Sequence, residues 1–258
     1  MRLKKIIGAS RVKMDKYRGT LLTLNDWDSY LLKESGLPGP RGNLELVQVV
    51  ADEGNLELFR RYTAYTADQA PVNSPYEFLA FCGVVGLGRL LAEGNIGLLE
   101  TLRIHASDPR WRIRGAVAMA LQRLGDVSMD QLITAMQKWS KGTPLEQRAA
   151  AAALCEPRLL GQAKHARAVL RILDEITATL EQVKNRRSED FLALRKGLGY
   201  RWSVAVVALP NEGKLLMETW LVTADKNVQW VMRENLKKSR LARMDSEWVK
   251  KWRSRADW

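Results

Sequence analysis

The sequence predicts an all-α chain, an α-solenoid of stacked helical hairpins, and three observations predict it. Ser74-Pro75, Asp108-Pro109 and Thr143-Pro144 each set a helix-capping residue before a proline, and these prolines are 34 and then 35 residues apart. A cap outside the helix with proline at its first position is a start signal, because proline's missing N–H is not needed there. Apolar residues then recur at three- and four-residue steps, and β-branched alternation is scarce. A helix start repeated at a fixed period is the mark of a repeat array.

Composition bounds the rest. The chain has 258 residues, 46% hydrophobic and 27% charged, which is a globular balance. Its net charge is +12, unevenly spread. Residues 1–41 carry nine Lys/Arg against four Asp/Glu, residues 42–183 carry 15 against 16, and residues 184–258 carry 17 against nine. The excess therefore sits at the two ends, +5 and +8, and a localised basic surface favours a polyanionic partner. Cys82 and Cys155 lie in apolar helical patterns, so buried free thiols and a reducing, cytoplasmic setting are expected. The basic N-terminus lacks a run suited to a signal peptide, and the longest unbroken apolar stretch, Val204 to Leu209, is too short to span a bilayer.

Taken in order, residues 1–42 read as a basic N-terminal segment and cap loop. It is irregular apart from a short helix over 27–33 and closes in the turn-rich Ser35-Gly-Leu-Pro-Gly-Pro-Arg-Gly42. Residues 43–241 read as the repeat array. Helices are expected over 44–52 and 56–65, with Gly54 closing the first, echoed by Gly94 and by Gly213. The helix from Pro75 to Leu91 is apolar on most sides and should be buried all round. Ser74 with Glu77, and Thr143 with Glu146, have the spacing of a capping box. Further helices follow near 98–106, from Asp108 to Gly125, over 129–139 and from Thr143. Beyond Pro157, an amphipathic stripe runs Val169, Leu173, Ile176, Leu180, Val183. The helix after Ser188 carries an acidic first turn and a bend near Gly197 and Gly199, and a last pair covers 215–236. Residues 242–258 read as a basic C-terminal tail helix.

Asp108-Pro-Arg-Trp-Arg-Ile-Arg114-Gly-Ala-Val-Ala-Met-Ala-Leu121-Gln-Arg-Leu-Gly-Asp126 resembles the HEAT repeat, with Asp-Pro at the turn and an arginine six residues after the aspartate. Arg148 follows Arg114 by 34 residues, although Thr143 stands where the aspartate would, and Asp225 and Arg233 keep the residue types at wider spacing. Tetratricopeptide repeats share the period, but their Trp/Leu-Gly/Tyr signature is missing. The resemblance implies about five HEAT-like hairpins in a right-handed superhelix with a concave face, and a structural ladder role for Asp108, Arg114 and Arg148. Asn25-Asp-Trp-Asp-Ser-Tyr30 is similar to the Trp-Asp-Ser stretch of HEAT-like DNA alkylation-repair glycosylases. It precedes the repeats instead of lying among them, so the catalytic aspartate is not carried over to Asp28. HEAT modules that handle bilin chromophores share the Asp-Pro style without a distinguishing motif here.

For function, the nine tryptophans carry the signal, because several alternate with arginine. Guanidinium can hold phosphate while indole stacks a base, or both can fill gaps between repeats. The partner-binding or nucleic-acid-binding candidates are Arg110, Trp111, Arg112, Arg201, Trp202, Trp230, Arg233, Lys237 and Lys238. His105 and His165, with the two cysteines, lack zinc-ligand spacing, so no metal is expected. No nucleotide or hydrolase motif occurs, and no cofactor is expected. The sequence thus supports a HEAT-like scaffold that binds a macromolecular partner, protein or nucleic acid, through its concave face and basic ends. The second reading is a nucleic-acid-binding HEAT protein, including a repair glycosylase.

Overall fold

The computed structural model describes residues 2–254, with side chains from residue 10. Those residues form fifteen α-helices, one short 3-10 turn and no strand. The chain divides into two compact units, the first ending at Leu124 and the second beginning at Gly125.

In the first unit the helices are α1 (Arg2–Leu21), α2 (Asp28–Glu34), α3 (Leu44–Glu53), α4 (Leu56–Thr63), α5 (Pro75–Ala92), α6 (Leu98–His105) and most of α7 (Trp111–Val127). The expectation of an irregular N-terminus is corrected by α1, a 20-residue helix that packs on α3. The core of the unit is α5, against which α2, α3, α4 and α6 all pack. It starts as the Ser74-Pro75 step predicts, with the Ser74 hydroxyl accepting from the Glu77 N–H at 3.2 Å. The reciprocal half of the box is absent. The Glu77 carboxylate instead accepts from the Asn73 N–H at 2.7 Å and from Arg112 at 3.0 Å. Only the Thr143–Glu146 pair closes a full capping box.

Burial on all sides forces α5 to use glycine for close contacts. A Cβ on Gly86 would lie 2.3 Å from the Phe59 ring, and one on Gly88 would lie 2.3 Å from the Ala120 Cα of α7. By length and composition α5 could also cross a membrane, a property missed by counting only unbroken apolar runs, but 72% of it is buried in the protein. Of the three echoed glycines, Gly94 takes the left-handed φ of +108°, as expected of a closing residue. Gly54 does not. It is extended at φ −74°, and its role is to admit the Phe59 ring, 2.5 Å from where a Cβ would stand.

In the second unit the helices are α8 (Met129–Trp139), α9 (Pro144–Leu154), α10 (Ala163–Gln182), α11 (Glu189–Ala208), α12 (Pro210–Leu221), α13 (Lys226–Leu236), α14 (Ser239–Met244) and α15 (Ser246–Arg253). Here α11 is central and touches α9, α10, α12, α13 and α14. It is a single helix through Gly197 and Gly199. Gly213 is not a closing glycine but an interior residue of α12, packed where a Cβ would meet the Val206 Cα of α11 at 2.8 Å. The Ala149–Ala153 run is buried throughout, letting α9 lie close to α11. Asn235 fastens α13 to α11, accepting from the Ser203 N–H at 2.8 Å and donating to the Leu198 carbonyl at 2.8 Å. Consecutive helices pack on each other as α8 on α9, α10 on α11 and α12 on α13.

Two outcomes follow from this packing. Gly88→Ala must push α5 off Ala120 and is expected to cost about 2 kcal/mol, read as a lower urea midpoint at unchanged m. His105, at the end of α6, has its pKa lowered chiefly by burial, with Arg110 adding to the effect and Asp108 opposing it. The unfolded chain takes up that proton near pH ~6.5 and the folded one only at lower pH, so stability is complete above ~6.5 and falls as the pH drops below it. His105→Gln should flatten that part of the stability–pH curve.

Candidate polyanion-binding site

The sequence candidates separate once side chains are placed. Arg110 is 3% exposed and grips Asp108 through Nε at 2.9 Å and Nη2 at 2.7 Å, while Nη1 reaches the Thr66 and Ala70 carbonyls. Arg112 is 7% exposed, paired with the fully buried Glu77, and also donates to the Gly39 carbonyl at 2.8 Å. Trp202 has no exposed surface, and its indole N–H donates to Thr177 at 3.0 Å. These three are committed to the fold, because a side chain already buried and paired offers nothing to a partner. Trp111, between the two arginines, is 51% exposed, with the Arg112 guanidinium 4.4 Å from its ring centre. Trp230 lies under Arg195 at 4.4 Å and against Gly199, which places it in the α11–α13 packing.

Arg114 donates to the carbonyls of Asp108 and Pro109 at 2.6 and 2.9 Å, while the Asp108 carboxylate serves Arg110. Pro109 therefore precedes α7, which starts two residues later than the Asp-Pro step suggests. Asp28, in the Trp-Asp-Ser stretch, takes a bidentate contact from Arg61 at 2.6 and 2.9 Å and the Tyr62 hydroxyl at 2.6 Å. That carboxylate is a structural acceptor.

Two of the remaining candidates, Arg201 and Lys238, meet in the second unit at a residue the sequence did not single out. Tyr200, on α11 and 40% exposed, stands among three cations. Arg240 is 4.6 Å, Arg201 5.2 Å and Lys238 5.7 Å from its ring centre, and Arg240 also donates to its hydroxyl. These residues come from α11, the end of α13 and α14, so the cluster exists only because Asn235 and the close packing at Gly199 hold those helices together.

Beside it, Arg240 and Arg243 border a groove of about 390 Å³ floored by Pro157, Leu160, Val204, Val207 and Ala208. Arg240 and Arg243 are three residues apart on one helix and so share a face. A second groove, of about 440 Å³, is lined by Arg233, Leu236, Lys237, Trp252 and Arg253. It begins one residue from Lys238.

The charges are only partly neutralised. Glu234 takes Lys237 at 2.5 Å and Lys238 at 4.0 Å. Among the described residues, Arg201, Arg240 and Arg243 make no ion pair with any carboxylate, and the buried Nε of Arg201 has no hydrogen-bond partner. Three guanidinium groups held close without counter-charge repel one another, and a bound anion relieves that repulsion. Cys155 lies within reach of both Arg201 and Arg240, which pull its pKa down, yet burial prevails and pushes the thiol up to about 12. It is therefore a packing residue, not a nucleophile. Cys82 is likewise buried, and burial raises its thiol well above the usual range.

Comparison with protein families, with characterised proteins and with solved structures finds no match to this chain. Among the described residues no three His, Cys, Asp or Glu side chains come together in a way that would hold a metal ion.

The division between fold and site can be measured. Arg110→Ala takes the cation from the nearly buried Asp108 carboxylate, leaving it only the residue-110 N–H at 2.7 Å, and is expected to cost about 3 kcal/mol, while leaving any binding at the Tyr200 cluster unchanged. Loss of binding in folded Arg110→Ala would return that arginine to the interface.

Proposed function

We propose that this chain is a HEAT-like binding protein whose partner is a single-stranded nucleic acid, gripped in the second unit around Tyr200. One observation carries the reading: an exposed aromatic ring stands among Arg201, Lys238 and Arg240, with Arg243 alongside and no carboxylate on the three arginines. Phosphates need unpaired cations, and an unpaired base needs an accessible ring to stack on. The apolar floor beneath Arg240 and Arg243 suits sugar and base faces. The +8 of residues 184–258 supplies long-range attraction. The repeat reading, with about five hairpins and a concave face, rests on the 34–35-residue beat, the Asp108–Arg114 spacing and the pairwise packing of consecutive helices.

The test is an anisotropy titration of the full chain with single-stranded DNA, RNA and duplex DNA at two salt concentrations. Four phosphate contacts give a slope of log affinity against log salt of about −3 for single strands. Tyr200→Ala should weaken binding about tenfold, and Tyr200→Phe, which keeps the ring, much less. No binding at low salt, or full binding by a folded Arg201→Ala/Arg240→Ala/Arg243→Ala protein, would sink the proposal. Binding with a salt slope near zero would point instead to apolar contacts of the kind a protein partner makes.

A further inference from the structure

A different cavity lies in the first unit, and nothing in the polyanion site uses it. It has a volume of about 390 Å³ and lies between the loop before α3, α5 and α7. Leu37, Pro40, Leu44, Phe78, Phe81 and Met119 form its wall. Ligand sites of this size and apolar character hold small molecules. The polar side-chain groups on its lining are the guanidinium groups of Arg41 and Arg112 and the indole of Trp111. All three are donors. Because no side-chain carboxylate, amide or hydroxyl lines the cavity, a ligand rich in donors finds no side-chain acceptor there, whereas an acceptor-only head finds donors.

The charges narrow the ligand further. Arg112 is neutralised by Glu77 and is held rigidly by Gly39 and Asn73. Arg41, exposed at the mouth, makes no ion pair among the described residues, so one net positive charge faces the opening. The wall has no polar partner for the interior of a ligand, which disfavours sugars and nucleobases.

We propose that this cavity binds an amphipathic anion, a hydrocarbon body with a single carboxylate or phosphate end. The body lies against Phe78, Phe81 and Met119, and the anionic end meets Arg41 beside the Trp111 indole. Gly115, on the α7 side of the cavity, has open space where a Cβ would stand. A larger side chain can therefore enter the cavity there without strain in the helix.

The experiment is calorimetric titration of the full chain with dodecanoate and dodecyl phosphate, each below its micelle-forming concentration, and with dodecanol below its solubility limit. The expected result is saturable one-to-one binding of an anion, with the alcohol about fivefold weaker. Which anion binds tighter separates a carboxylate from a phosphate ligand. Gly115→Leu should abolish binding with no fall in melting temperature, while Gly115→Ala keeps binding. Arg41→Gln should reduce anion affinity to that of the alcohol. If Gly115→Leu lowers the melting temperature, Leu44→Trp blocks the same space from a half-exposed position and is read instead. Absence of saturable binding, or unchanged binding in a folded blocked variant, overturns the proposal.

Discussion

A carboxylate with no exposed surface, Glu77, governs the first unit. A buried ion is tolerated only when it is paired and hydrogen-bonded, and Glu77 answers that demand through Oε2, which accepts from the Asn73 N–H and the Arg112 guanidinium, while its buried Oε1 has no hydrogen-bond partner among the described residues. Asn73 has a left-handed φ of +69°, and its side-chain oxygen accepts from the Gly39 N–H at 3.0 Å. Arg112 donates to the Gly39 carbonyl. One buried charge on α5 thus fixes the loop that precedes α3 and the first turn of α7. Those same elements wall the apolar cavity, so the arginine that helps shape the pocket is kept there by the core.

The second unit reaches a comparable result without a buried charge. Asn235 spends its amide on α11, Trp202 is capped by Thr177, and Gly199 admits the Trp230 ring. Neutral partners and the stacking of Arg195 on Trp230 hold α10, α11 and α13 together, which leaves Arg201 of α11 and Arg240 and Arg243 of α14 without a carboxylate partner among the described residues. In the first unit arginines are consumed by the fold, while in the second several are not.

That contrast explains what was legible in the sequence. Helix starts at Ser74, Thr143 and Ser188 are local, since a cap and its N–H partners lie within three residues, and the structure has all three. The buried α5 and the amphipathic α10 were equally readable from spacing. The irregular reading of residues 1–35 failed because α1 has only a weak apolar stripe, and periodicity is the signal on which such a reading depends. The Arg-Trp-Arg motif misled for a geometric reason. Arg110 lies just before α7 and turns to the nearly buried Asp108, while Arg112, one residue beyond the exposed Trp111 and so on another face of the helix, turns to the buried Glu77. Trp202 is internal for the same reason that Tyr200 is not. The Tyr200 cluster joins residues about forty positions apart, and of its members the sequence singled out Arg201 and Lys238 but neither Tyr200 nor Arg240.

Net charge by segment proved a coarse guide whose sign was informative only after pairing is considered. In residues 184–258 many cations are absorbed, as Arg186 is by Asp225, Lys214 by Asp245 and Lys250 by Glu247. Exposed pairs of this kind contribute little stability, but they cancel charge locally and so mark surfaces that do not attract a polyanion. Subtracting them leaves Arg201, Arg240 and Arg243 among the cations without a carboxylate partner in the described residues. A solubilising charge excess has no reason to gather two guanidinium groups and an ammonium around one aromatic ring, where they raise the energy of the free protein. A surface shaped to receive phosphates does, because the ligand removes the repulsion when it binds.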